Sequence, residues 1–168
     1  YGRIVRWFIG SVAEEVAHIA PCPVLLVRGE PDPEIRHLVV PVDGSAISYS
    51  VLDRVGPYTT AQTRITVLHC SGIPQDEALL NSTTGCYLKR LRSEMEAMVA
   101  SRPNTTLHIV ERPAPEGILE WLRGSDCNLV AVSTHGNGGI SHLYAGNVAD
   151  QVAREAACPV LIFPPGSD

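Results

Sequence analysis

Residues 10–27 and 146–163 are one segment written twice. The first reads GSVAEEVAHIAPCPVLLV and the second GNVADQVAREAACPVLIF, with 10 identities in 18 positions at a constant offset of 136. Unrelated windows of this length share about one residue at ordinary amino-acid usage. An offset of 136 residues exceeds any solenoid unit and matches a whole domain. The expected organisation is the tail of one domain over 1–28, a linker over 29–34, and a complete second copy over 35–168.

Both copies follow the same local grammar. A glycine opens a segment whose apolar residues recur at helical spacing: Val148, Val152, Ala153 and Ala156 in the second copy, Val12, Val16, Ala17 and Ile19 in the first. Cys158-Pro159 or Cys22-Pro23 then ends the helix, because the residue before proline is disfavoured in the helical region. A short apolar run follows, Val160 to Phe163 or Val24 to Val27, which reads as a buried strand.

The rest of the second copy alternates strands and helices. Strands are expected at 38–42, 65–70, 107–110 and 129–133. Helices are expected from about Ala46 to Val55 (with Ser45 as N-cap), Thr84 to Ala100 (apolar stripe Leu88, Leu91, Met95, Met98) and Pro115 to Arg123. Residues 71–84 form a loop rich in Gly, Pro, Ser and Thr. Such alternation implies right-handed βαβ crossovers and a parallel α/β sheet covered on both faces. In these sheets a ligand binds beyond the carboxyl ends of the strands, at the switch point of strand order.

The special residues fall at such ends. Asp43-Gly44-Ser45 follows the first strand, and the fourth runs into STHGNGGISHLYAGNV. Ser133, His135, Gly136, Gly138, Gly139, Gly146, Asn147 and Val148 therefore lead into the last helix. Glycines allow close backbone approach, and a helix N-terminus adds free N–H donors with partial positive charge. Together they suit a phosphate without any lysine. Asp43 could meet a ribose or base from the facing strand end.

Composition narrows the classes. A net charge of −5 with no Lys/Arg cluster argues against non-specific nucleic-acid binding. The longest apolar runs are strand-length, so no membrane span is expected. The five cysteines (22, 70, 86, 127, 158) are odd in number without CxxC spacing. They point to a reducing cytoplasm rather than a disulfide framework or zinc site. Cys70, Cys127 and Cys158 read as small buried hydrophobes. His69 reads as a core histidine, and His135 as a structural or solvent residue ahead of a phosphate contact. Ser45 and Ser133 lack an evident base and orienter for hydrolase chemistry.

The combination VDGS, then S-T-H-G, nine residues, G-N, helix, CPV and a hydrophobic strand resembles the universal stress protein family over about Ile35 to Pro164. The resemblance implies a Rossmann-like, flavodoxin-like (adenine nucleotide alpha hydrolase-like) parallel sheet of five strands in order 3-2-1-4-5. An extra N-terminal helix–strand unit adds to it. It also implies ATP or ADP across the ends of strands 1 and 4, with Mg²⁺ accompanying the nucleotide. Pro41, Val42 and Asp43 would then lie by adenine and ribose, and Val67 near the base. Gly136 and the Gly146-Asn147-Val148 turn would hold phosphate. Three residues depart from the pattern: Ser133 replaces the first loop glycine, Asn147 replaces Ser/Thr, and Arg112 stands where a glycine is common. Arg112 would clamp a phosphate or fill the space.

A regulatory, stress-response role follows from the resemblance, with at most slow ATP hydrolysis. The alternative is a nucleotide-free interaction or dimerisation module. The family's last strands pair antiparallel in homodimers or tandem copies, so Pro23 to Val27 is expected to pair with Pro159 to Phe163, in cis or between chains.

Overall fold

Short β-branched runs and longer amphipathic segments sort cleanly into strands and helices in the computed structural model, which describes residues 11–27, 30–72, 83–133 and 148–164. The elements are α1 (Ser11–Ile19), β1 (Val24–Leu26), β2 (His37–Val42), α2 (Ala46–Arg54), β3 (Arg64–Cys70) and α3 (Thr83–Ala100). They continue with β4 (Thr105–Val110), α4 (Glu116–Arg123), β5 (Leu129–Ser133), α5 (Val148–Glu155) and β6 (Val160–Phe163). A 3-10 turn at Gly56–Tyr58 follows α2. Among the described residues no helix is long and apolar enough to cross a membrane.

The strands form one six-stranded sheet in the order β1-β6-β5-β2-β3-β4. Strands β2 to β6 run parallel and β1 lies antiparallel on β6. The sheet has six strands where five were expected, because the extra N-terminal strand joins it: β1 lies on β6, where Pro23–Val27 was expected to pair with Pro159–Phe163. The register is Val24↔Ile162, Leu25↔Leu161 and Leu26↔Val160. It gives partners to backbone groups on β6 that would otherwise be open to any passing strand.

Alternation along each strand divides the core into two layers. Val39, Leu68, Val130, Val132, Val160 and Ile162 pack with α1, α4 and α5 through Ala17, Ile118, Leu119, Leu122, Val152 and Ala153. Leu38, Val40, Val42, Val67, Ala131 and Leu161 pack with α2 and α3 through Val51, Leu52, Leu91, Met95 and Val99. Leu38, Val39 and Val40 are all fully buried, as a central strand covered on both faces requires. Each such aliphatic side chain contributes about 1.5–3 kcal/mol of transfer free energy.

Two stripes differ from their sequence readings. On α3 the buried line is Leu91, Met95 and Val99, while Leu88 and Met98 are half-buried flanks. On α1 Ala17 is buried, while Val16 is 46% and Ile19 72% exposed. The single short strand β1 is too little sheet to cover that helix.

A polar clasp holds the amino ends of β2, β3 and β5. Asn128 Oδ1 accepts from the N–H groups of Arg36 and His37, and its Nδ2 donates to the Glu34 carbonyl. His37 Nδ1 lies 2.7 Å from Asp126 Oδ1, and His37 Nε2 lies 2.9 Å from Thr66 Oγ1. Arg64 Nη2 donates to both oxygens of Asp126. These donors hold the Asp126 carboxyl down at about 2, Arg64 contributing most and His37 next.

Candidate functional site

β2 is the point from which the chain turns both ways: β3 and β4 lie on one side of it, β5 and β6 on the other. The ladder there is uneven. β2 pairs with β3 at six positions, His37↔Arg64 to Val42↔His69. With β5 it pairs only at Leu38↔Leu129 and Val39↔Val130. Among the described residues no register pair joins the two strands beyond Val39. A crevice at the switch point of an open parallel sheet is where such folds take ligands.

The mouth of the crevice is built by the turn after β2. Gly44 has φ +86°, a left-handed conformation that favours glycine. It turns the chain so that Ser45 caps α2, accepting the Ser48 N–H at 3.1 Å. Asp43 Oδ1 accepts from the Ser45 N–H at 3.0 Å and from the Ser45 hydroxyl at 2.6 Å. Ser48 Oγ in turn accepts the Asp43 N–H at 3.3 Å and donates to the Ser45 carbonyl. The Asp43-Gly44-Ser45 turn is thus held by its own side chains, and the Asp43 carboxylate is exposed at the lip.

α3 roofs the same turn. A Cβ on Gly44 would sit 2.6 Å from Leu91 Cδ1, so helix and turn are in direct contact. Tyr49 of α2 lies nearby, its hydroxyl oxygen buried and without a hydrogen-bond partner among the described residues. Burial raises the Tyr49 pKa most, followed by the charges of Glu94 and Asp43 and by Tyr87. The phenol therefore stays a neutral donor beside two carboxylates. Nothing in the sequence marked Tyr49, since its role depends on α3 packing over α2.

Ser133 ends β5 half-buried, level with Phe163 of β6. Extending the β2–β5 offset also sets it level with Val42. The structure therefore brings Val42, Asp43 and Ser133 to neighbouring strand ends, with half-buried Pro41 just below and half-buried Val148 opening α5. His135, Gly136, Gly138, Gly139, Gly146 and Asn147 lie outside the described residues.

Val67 pairs with Val40, below the strand ends, and is fully buried among Leu91, Met95 and their neighbours. The residues of β3 that reach the rim are His69 and Cys70. His69 is buried and its Nδ1 donates to the Val42 carbonyl at 2.9 Å, the role of a core histidine. Burial pushes the Cys70 thiol up to about 11, so it is protonated at neutral pH. Arg112 is exposed, and its Nε pairs with Glu120 Oε2 of α4 at 3.2 Å.

Thr66, His37 and Asp126 stand in the order of a nucleophile, base and orienter, but at the amino ends of the strands. Thr66 is 5% and His37 4% exposed, so no substrate reaches them and their geometry serves the clasp. Among the described residues no group of three or more His, Cys, Asp or Glu side chains could hold a metal.

Residues 34–164 match the profile of the Universal stress protein family. Two universal stress proteins of Mycobacterium tuberculosis are similar: one is 25% identical over 176 residues, covering 96% of this chain and 58% of the relative. The other is 28% identical over 176 residues, covering 94% and 57%. The chain thus spans less than two thirds of the length of the curated relatives it matches. Among solved structures, a universal stress protein from Archaeoglobus fulgidus superposes with a TM-score of 0.74 at 18% identity, over 99% of this chain and 59% of the other. A universal stress protein in complex with cAMP gives a TM-score of 0.56 at 22% identity, over 78% and 98%.

Proposed function

The chain belongs to the universal stress protein family, and from that premise we propose that it binds an adenine nucleotide in the β2–β5 crevice and acts as a regulatory domain, through conformation or association. The observation that carries this reading is the end of β2–β5 register after two paired positions, at the switch point and beside an exposed carboxylate. Asp43 would accept from ribose hydroxyls, with the β2 end at Pro41 and Val42 against the base. The glycine-rich segment 134–147, leading into α5, would supply backbone N–H groups to phosphate. The neighbouring structure in complex with cAMP supports an adenine nucleotide in general; ATP or ADP, with Mg²⁺ carried in on the phosphates, is the finer proposal.

The bound nucleotide serves as a signal rather than a substrate. Asp43 is tied to Ser45 and Arg112 to Glu120, so neither acts as a general base or arginine finger, and hydrolysis is at most slow. The working location is the cytoplasm. The 10 identities in 18 positions between the two segments support reading residues 1–28 as the tail of a preceding copy in a tandem-type protein.

A second reading, a nucleotide-free interaction module, is favoured by exposed apolar residues on the repeated segment: Val16, Ile19, Leu25 and Val27, each at least 46% exposed. They suit a homodimer or pseudo-dimer. Titration calorimetry with ATP·Mg²⁺ and with cAMP separates the readings. The first requires saturable binding that Gly136→Val and Gly146→Val abolish; the second requires none.

A further inference from the structure

Cys127 and Cys158 lie at the opposite end of the sheet from the crevice, with their Sγ atoms 3.9 Å apart. Both are half-buried, within reach of a small solute. Each stands two residues ahead of a strand, Cys127 before β5 and Cys158 before β6. Those strands are parallel neighbours with Val130 paired to Val160, and the Val130 N–H donates to the Pro159 carbonyl at 3.1 Å. Adjacent strands run about 4.8 Å apart, inside the Cα spacing of about 4.4–6.8 Å that a disulfide bridges. The sulfurs are already within van der Waals contact of one another.

We propose that Cys127 and Cys158 form a reversible disulfide that clasps the β5–α5–β6 unit under oxidising conditions. The ring spans a sequence separation of 31 and encloses β5, the glycine-rich segment 134–147 and α5. A covalent link there fixes the amino ends of the two strands on which the crevice wall depends. The inference rests on this geometry and is independent of the nucleotide reading.

A low-molecular-weight disulfide supplies the oxidising equivalents. One cysteine thiolate attacks it, its S–S bond breaks, and a small thiol leaves and takes a proton, giving a mixed disulfide on the protein. The second cysteine sulfur attacks that bond, loses its own proton, and expels the second small thiol. Two cysteine thiols are oxidised and one small disulfide is reduced to two thiols.

The test uses the full chain carrying Cys22→Ala, Cys70→Ala and Cys86→Ala, treated with oxidised glutathione. The two remaining thiols should disappear together, the intact mass should fall by two hydrogens, and one peptide should link 127 to 158 within a monomer. The thermal midpoint should rise by about 5–10 °C, as closing a ring of this size implies, and return on reduction. Adding Cys127→Ala should leave glutathione on Cys158. If that variant does not fold, Cys158→Ala gives the same comparison, and the thiol and mass readings on the parent still decide. Thiols that stay reduced, stable glutathione adducts on the parent, or a link between two chains would each overturn the proposal.

Discussion

Leu25 and Leu161 are the same position of the repeated segment, 136 residues apart, and they face each other across the antiparallel β1–β6 ladder. The pairs on either side, Val24↔Ile162 and Leu26↔Val160, exchange the same two positions of the repeat. A local two-fold axis therefore passes between the two leucines. The repeat is more than a record of duplication: its two strands meet as equivalents and together close one edge of the sheet.

This relationship predicts the effect of removing residues 1–28. The truncated chain exposes the β6 edge and the core faces that Ala17, Val24 and Leu26 cover. Its thermal midpoint should fall by about 3–8 °C, or it should dimerise through the freed edge. Calorimetry with light scattering checks both. An unchanged midpoint together with an unchanged mass in solution would remove the structural role of β1.

Gly44→Ala should be costly. The new Cβ meets Leu91 Cδ1 at 2.6 Å and occupies a backbone at φ +86°, so a loss of about 1–3 kcal/mol is expected. Gly56→Ala is the comparison, since a Cβ there meets nothing within 4 Å. Urea denaturation of both variants should show a clear loss for the first and little change for the second.

Asp126 gives a pH dependence with a definite sign. Its carboxyl is held at about 2, below the ordinary value of 3.8, by Arg64 and then His37. A carboxyl lowered by folding contributes stability that is present above the unfolded pKa and lost as pH falls through the folded one. The wild type's advantage over Asp126→Asn should therefore persist down to about pH 4 and vanish toward pH 2. The side chain is 74% exposed, so the advantage should be small and weaken with salt. Acid titrations followed by circular dichroism, at low and high ionic strength, measure it.

Much of this architecture was legible from spacing. The expected 129–133 strand is β5 without revision, and β2 and β3 each begin one residue earlier than read. β4 begins at Thr105, because Thr105 and Thr106 are β-branched and fit a strand while lacking the hydrophobicity that marks one. What the pattern could not give was depth and partnership. Val67 looked as well placed as any strand residue until the β2–β3 register put it opposite Val40. Arg112 was placed at a strand end correctly, but its partner Glu120 sits on the next helix. The His37–Asp126 contact joins residues 89 apart, beyond any local signal. Asp43, Gly44 and Ser45 were readable because the turn is held by its own side chains.

Asp43 itself can be tested. If its carboxylate meets the ribose, Asp43→Ala should weaken ATP binding by about tenfold, the size of one lost hydrogen bond to a charged group. The fold should remain, since Ser45 still caps α2. Calorimetry alongside a thermal scan separates lost affinity from lost structure.

An adenine nucleotide held at the carboxyl ends of β2 and β5 should co-purify with the protein. Denaturing the purified protein and assaying the supernatant by absorbance and mass tests it most directly, backed by titration of the stripped protein with ATP·Mg²⁺. The expected result is released adenine nucleotide, or saturable binding that Gly136→Val and Gly146→Val abolish. A protein that releases none and binds none, or binding that survives both valines, would contradict it.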